Sequence, residues 1–164
     1  MENKDENKPF VAHASKLTEG MKAPYFEGYD EQHHLIKMSD YAGKTIILYF
    51  YPKDDTEGCT AESCSLRDEY QHLNDKNYAV IGVSADDSNS HKKFAEKYSL
   101  PFPLIADTNH VIINDYDVWG TKQFAGHIFD GIVRTTFIIS PDGIIKNIVR
   151  KVDTANHAKQ ILEL

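Results

Sequence analysis

Cys59 and Cys64 are the two cysteines of this 164-residue chain, and both fall in the run YFYPKDDTEGCTAESC, residues 49–64. Their Cys-x4-Cys spacing is not the C-x-x-C of a dithiol reductase, and it lies at the loose end of zinc-ligand spacings. Cys59 follows a strand-like run and a Pro-Lys-Asp-Asp turn, and helix-forming residues follow it. A thiol at such a junction sits beside unpaired backbone N–H groups and the positive end of the helix dipole. Sites of this kind lower a cysteine pKa from ~8.5 into the range of about 3.5–7.5. Ionisation alone has a ceiling: a free thiol is roughly 3% thiolate at pH 7, so full ionisation gains about 30-fold at most. A fast thiol enzyme also needs donors aimed at charge that shifts in the transition state.

The neighbouring residues offer such groups. Thr56 lies three residues before Cys59, near enough for its hydroxyl to turn back to the sulfur or to a bound oxygen. Pro52 has no N–H and a fixed φ, so it can wall a pocket without competing for hydrogen bonds. Gly58 permits close approach of another group. Arg134 opens the run RTTFIIS and can bring a guanidinium from a neighbouring strand.

These residues must be positioned by a fold that the pattern outlines. TIILYFY, 45–51, is a continuous apolar run, as expected of a strand covered on both faces. TAESCSLRDEYQHL, 60–73, contains no Gly or Pro and has helical composition. YAVIGVS, 78–84, is a second buried strand, and HKKFAEKYSL after Asp86-Asp87-Ser88 is a helix. PFPLIAD gives a third strand and HVIINDYDVW a short helix. RTTFIIS, Pro141-Asp142-Gly143 and IIKNIVR form a hairpin. Thr154 is placed as the cap of a last helix, ANHAKQILEL. Upstream, two apolar patches flank Gly28–Gln32 in a further hairpin. The order is α/β with mixed strands, fitting a thioredoxin-like fold: a mixed central sheet flanked by helices, with an N-terminal β-hairpin. The Cys59 loop then lies at the carboxyl end of a strand, where open α/β sheets carry their sites. Residues 1–15 read as a flexible polar arm and 16–164 as one domain.

Composition narrows the classes of function. A hydrophobic fraction of 41% and a charged fraction of 26% are those of a globular protein. The net charge of -7 argues against nucleic-acid and anionic-membrane partners. No apolar run approaches the ~20 residues of a membrane span. MENKDENKPF lacks the basic and apolar regions of a secretory signal, so a cytoplasmic location is expected. There a disulfide would be transient and catalytic.

Simpler readings compete at each position. A free cysteine is often a small buried hydrophobe. Thr56 can be only a turn residue, and Arg134 only a solvated strand-end charge. His33 and His34 with the two cysteines would make four zinc ligands, but no His-x3–5-His pair follows, and no metal is expected. His127 and His157 read as surface or capping residues, and Trp119 as either core or pocket rim. Asp86-Asp87 reads as a solvated loop and helix start.

The longer pattern resolves these alternatives. Pro52-x-x-x-Thr56-x-x-Cys59 matches the active-site signature of the peroxiredoxins. YFYPKDDTEGCTAESCSLRDEY and WGTKQFAGHIFDGIVRTTFIISPDG resemble the peroxiredoxin Q subfamily, also called bacterioferritin comigratory protein. Glu57 is a departure, standing where the family usually has proline, and its charge works against thiolate formation. The resemblance runs from about Ala23 to the C-terminus. It implies a peroxidatic Cys59, a resolving Cys64, and a peroxide pocket built by Pro52, Thr56 and Arg134. It further implies reduction of hydrogen peroxide and organic hydroperoxides without a cofactor, recycling by thioredoxin or a similar dithiol, and a monomer or weak dimer. A disulfide reductase and a non-catalytic binding module on the same fold are the rival functions. The missing C-x-x-C argues against the first, and the complete Pro, Thr, Cys and Arg set argues against the second.

Overall fold

Residues 45–50 are apolar without alternation, so a strand built from them needs cover on both faces. The computed structural model, which describes residues 9–164, arranges the chain around that strand. β1 (Glu27–Tyr29) and β2 (Leu35–Lys37) form the expected antiparallel hairpin. β3 (Thr45–Phe50) leads through a loop into α1 (Glu57–Asp68) and α2 (Tyr70–Asp75). β4 (Tyr78–Ser84), α3 (Ser88–Tyr98), β5 (Leu104–Ala106) and α4 (Val111–Asp115) follow. Then come β6 (Trp119–Phe124), β7 (His127–Ile132), β8 (Thr135–Ile139), β9 (Ile145–Val149) and α5 (His157–Leu162).

The central sheet has the order β5-β4-β3-β8-β9. β3 and β5 run parallel to β4, and β8 pairs antiparallel with β3 and with β9. This is the mixed α/β sheet that the sequence leads one to expect. The period of two in β3 divides its side chains between two cores. Ile46, Leu48 and Phe50 pack with Phe26, Ile112, Tyr116 and Phe137 on one face. Ile47 and Tyr49 pack with Tyr51, Cys59, Leu66, Phe94 and Ile161 on the other. Full burial of each such side chain stabilises the fold by about 1.5–3 kcal/mol. The second face is therefore the one against which α1, carrying both cysteines, is held.

Four features differ from the pattern reading. The helix expected over 60–73 begins earlier, at Glu57, and is interrupted at Glu69. Thr154 is not a helix cap: residues 154–156 form a 3-10 turn, the Asp153 N–H is taken by Gln160 Oε1, and α5 starts at His157. His157 is buried rather than at the surface, bonded through Nε2 to Thr136 Oγ1 and through Nδ1 to Gln160. The ribbon β6–β7 was not anticipated.

Of the expected arm, residues 1–8 lie outside the described residues. His13 and Ser15 are docked: the His13 N–H donates to the Thr121 carbonyl at 2.8 Å, and Ser15 Oγ donates to the Tyr116 carbonyl at 2.6 Å.

Candidate active site

α1 starts at the carboxyl end of β3, and its first turn presents Cys59. Thr56 occupies the N-cap position with extended backbone, and the first intrahelical bond runs from the Thr60 N–H to the Thr56 carbonyl at 2.8 Å. Cys59 is thus the third helical residue, in the turn whose N–H groups lack intrahelical acceptors. It is 1% exposed. Both cysteines are free thiols on one helix.

Arg134, just before β8, reaches Cys59 from the neighbouring strand. Its Nη2 donates to Cys59 Sγ at 3.4 Å, and its Nη1 donates to Glu62 Oε2 at 3.3 Å. A Cβ at Gly58 would stand 3.1 Å from Nη2, so the glycine leaves room for the guanidinium against the helix start. The Thr56 hydroxyl donates instead to the Lys53 carbonyl at 2.9 Å, which closes the loop on itself. Pro52 is half-buried at the strand end. Cys59, Gly58 and Arg134 are therefore brought together directly, while Pro52 and Thr56 shape the loop that delivers them.

Cys64 sits one turn further on and is half-buried. Burial pushes its thiol up, against the pull of the Arg67 cation. The two thiols thus differ: one faces a guanidinium at a helix start, and the other has its pKa raised by burial.

Two charged groups at the site were not legible in the sequence. Glu62, three residues after Cys59 on the same helix face, is fully buried. Burial outweighs the Arg134 cation and pushes its carboxyl up to about 7. Its Oε1 is a buried oxygen without a hydrogen-bond partner among the described residues. Lys122 comes from the unanticipated β6, and its Nζ donates to the Ile132 carbonyl at 2.5 Å. Burial lowers its pKa, Arg134 adds to that effect, and the Cys59 sulfur opposes it. The thiol therefore lies within the field of two cations. Arg134 itself is held above the ordinary arginine value: burial works against its charge, but Glu62 and Cys59 outweigh it.

The zinc alternative is not assembled. Among the described residues, the group of His, Cys, Asp and Glu side chains close enough to share an ion is Asp54, Asp86 and His91; it contains neither cysteine and neither of His33 and His34. Trp119 is partly exposed and packs against His110 in a tilted pair, 4.7 Å between ring centroids with an interplanar angle of 41°. Asp87 caps α3 by accepting from the Ser90 N–H at 2.8 Å. No described helix is long and apolar enough to cross a membrane.

Residues 20–148 match the model of the AhpC/TSA family. The chain is 42% identical over 144 residues to peroxiredoxin Bcp of Bacillus subtilis, covering 88% of this chain and 92% of the relative. It is 37% identical over 146 residues to peroxiredoxin Bcp of Escherichia coli, covering 89% and 94%. Among solved structures, a cysteine-to-serine variant of PrxQ from Xylella fastidiosa superposes with a TM-score of 0.84 at 30% identity, over 92% of this chain and 96% of that one. Bacterioferritin comigratory protein of Xanthomonas campestris, described for its alkyl peroxide reduction activity, superposes at 0.78 with 31% identity, over 84% and 88%.

Proposed function

The chain belongs to the AhpC/TSA family and is a peroxiredoxin, a thiol peroxidase similar to Bcp and PrxQ; from that premise we propose that Cys59 attacks the peroxide and Cys64 resolves the product. The observation that carries this reading is the Arg134 Nη2 to Cys59 Sγ contact of 3.4 Å at the start of α1.

The Cys59 thiolate attacks one peroxide oxygen. An S–O bond forms, the O–O bond breaks, and the leaving oxygen departs with a proton as water or an alcohol. The sulfur is oxidised by two electrons to sulfenic acid. Arg134 stabilises the thiolate and the charge that moves onto the leaving oxygen. Pro52 and Thr56 bound the pocket. The Cys64 thiol then displaces hydroxide from the sulfenic sulfur, giving water and a Cys59–Cys64 disulfide. A dithiol, thioredoxin or a protein like it, returns both cysteines to thiols by exchange and is itself oxidised. Hydrogen peroxide and organic hydroperoxides are the substrates. A disulfide that must be reduced in every cycle suits a reducing cytosol.

Peroxide consumption coupled to thioredoxin, thioredoxin reductase and NADPH tests the proposal. Wild type should turn over, Cys59→Ser should be inactive, and Cys64→Ser should lose thioredoxin-driven turnover. A Cys59→Ser variant with near-normal turnover would remove Cys59 from the role.

A further inference from the structure

The loop that delivers Cys59 is tied to α3 at two points. At the outer one, the Asp55 carboxylate accepts from Lys97 Nζ at 2.8 Å and from the Tyr98 hydroxyl at 2.7 Å. Asp55 itself has a left-handed backbone, φ 55°. The inner tie is buried and centres on Asp54. Its Oδ1 accepts from the Tyr51 hydroxyl at 2.6 Å. Its Oδ2 accepts from Ser90 Oγ at 2.7 Å and meets His91 Nδ1 at 2.7 Å. Its N–H donates to Asp86 Oδ2 at 2.8 Å, and that oxygen also accepts from Ser84 Oγ.

The protons of His91 follow from its partners. The ring is fully buried, and Nε2 lies 3.0 Å from the Ile105 carbonyl. A carbonyl only accepts, so Nε2 carries a hydrogen. A neutral ring would then turn a bare Nδ1 lone pair on the Asp54 carboxylate. A second proton must therefore lie between Nδ1 and Oδ2, which makes the pair a charge-assisted bridge. The electrostatics agree: burial disfavours the charged ring, but Asp54, the Ile105 carbonyl and Asp86 outweigh it and raise the His91 pKa. The acceptor oxygens that face one another in this cluster are already occupied by donors, so hydrogen bonds hold it together without an ion.

We propose that His91 is a positioning residue for the peroxidase reaction: its Nδ1–H bridge to Asp54 fixes the loop that sets the first turn of α1, and so the distance between Cys59 and Arg134. Asp54 is two residues before the helix N-cap and five before Cys59. The segment between them includes Gly58, which is packed against the guanidinium. A loop freed from its anchor shifts the thiol relative to Nη2, and a displacement of about 1 Å at a reacting centre costs up to 10²-fold in rate. The proposal rests on Cys59 as the attacking thiol.

The test is the rate of Cys59 oxidation by hydrogen peroxide. It is read by quenched flow and mass spectrometry on reduced protein, at a pH where the thiol is fully ionised in every variant and below every melting temperature. His91→Ala should react about 10–100-fold slower than wild type. His91→Asn, whose side-chain N–H can stand where Nδ1–H stood, should recover to within about threefold. His91→Gln, which mimics Nε2, should stay slow. A folded His91→Ala or His91→Gln protein reacting at the wild-type rate overturns the proposal, and so does an Asn variant as slow as the Ala variant. If the Ala and Gln variants do not fold, Asp54→Asn, which keeps the side-chain volume, takes their place with the same expected slowing and the same refuting result. Failure of wild-type Cys59 to oxidise at all would instead refute the assignment of Cys59, so the two failures are distinguishable.

Discussion

Forming the Cys59–Cys64 bond should unwind α1 over residues 58–67. Both residues lie on one helix, Glu57–Asp68. Five residues of regular α-helix rise about 7.5 Å and rotate by roughly 500°, which leaves the Cα atoms about 8.7 Å apart. A disulfide spans Cα atoms no more than about 7 Å apart. The helix must therefore open, and four contacts open with it. These are Arg134 to Cys59, Arg134 to Glu62, the Tyr49–Ser63 hydroxyl pair at 2.9 Å, and the Ala158 N–H to Ser65 Oγ at 3.1 Å. At about 1 kcal/mol each, their loss is worth about 4 kcal/mol of local stability, or roughly 10³ in the opening equilibrium. Thr60, Ser63 and Ser65 are mediocre helix formers and hold the segment weakly on their own. Amide hydrogen exchange over 58–67 is the assay, on reduced protein and on protein whose disulfide is confirmed by mass spectrometry. Protection should fall by about 10³ on oxidation, while β3 and β4 remain protected. Equal and high protection in both redox states would show that α1 survives oxidation intact.

Three further outcomes are expected. Arg134→Ala should slow peroxide attack, followed by stopped flow on the reduced protein, by more than the roughly 30-fold that thiolate loss can explain; equal rates at full ionisation would leave Arg134 as an ionisation device only. Glu62 binds its proton up to about pH 7 in the folded protein, whereas its ordinary value is 4.5. The folded state therefore holds more protons across that window, and stability should fall as pH rises from about 4.5 to about 7. Glu62→Gln should remove that part of the slope, read as melting temperature against pH for both reduced proteins. Gly58→Ala would set a Cβ 3.1 Å from Arg134 Nη2, so the guanidinium must shift; oxidation of Cys59 should slow by about tenfold or more with little change in melting temperature.

The sheet was readable because its strands are buried on both faces and carry uninterrupted apolar runs. The ribbon β6–β7 was not, because most of its residues are exposed on both sides and no alternation marks it. Its turn adds to the difficulty: Ala125 and Gly126 both have positive φ, 49° and 80°, in a place where Asn-Gly would have announced a hairpin. Lys122 was lost with that ribbon. Cys59 and Cys64 stood out by spacing, but Arg134 was one strand-end cation among many until the longer pattern singled it out. Glu62 and His91 were invisible for a common reason. A charged or polar residue in a helical segment reads as solvated, and only the tertiary partner, Arg134 for one and Asp54 for the other, makes its burial tolerable. His157 reads as a surface or capping residue on the same grounds, and it is buried. Thr154 looked like a cap because nothing in its neighbours signals the 3-10 turn that precedes α5.

In the proposed reaction Cys59, held against Arg134 at the start of α1, is the sulfur that peroxide oxidises. The most direct test takes the reduced Cys64→Ser variant, in which no internal disulfide can form, and mixes it with one equivalent of hydrogen peroxide in the presence of a sulfenic-acid trap. A single adduct per chain, mapped by mass spectrometry to Cys59, is expected. Survival of the peroxide with Cys59 still a free thiol would contradict it.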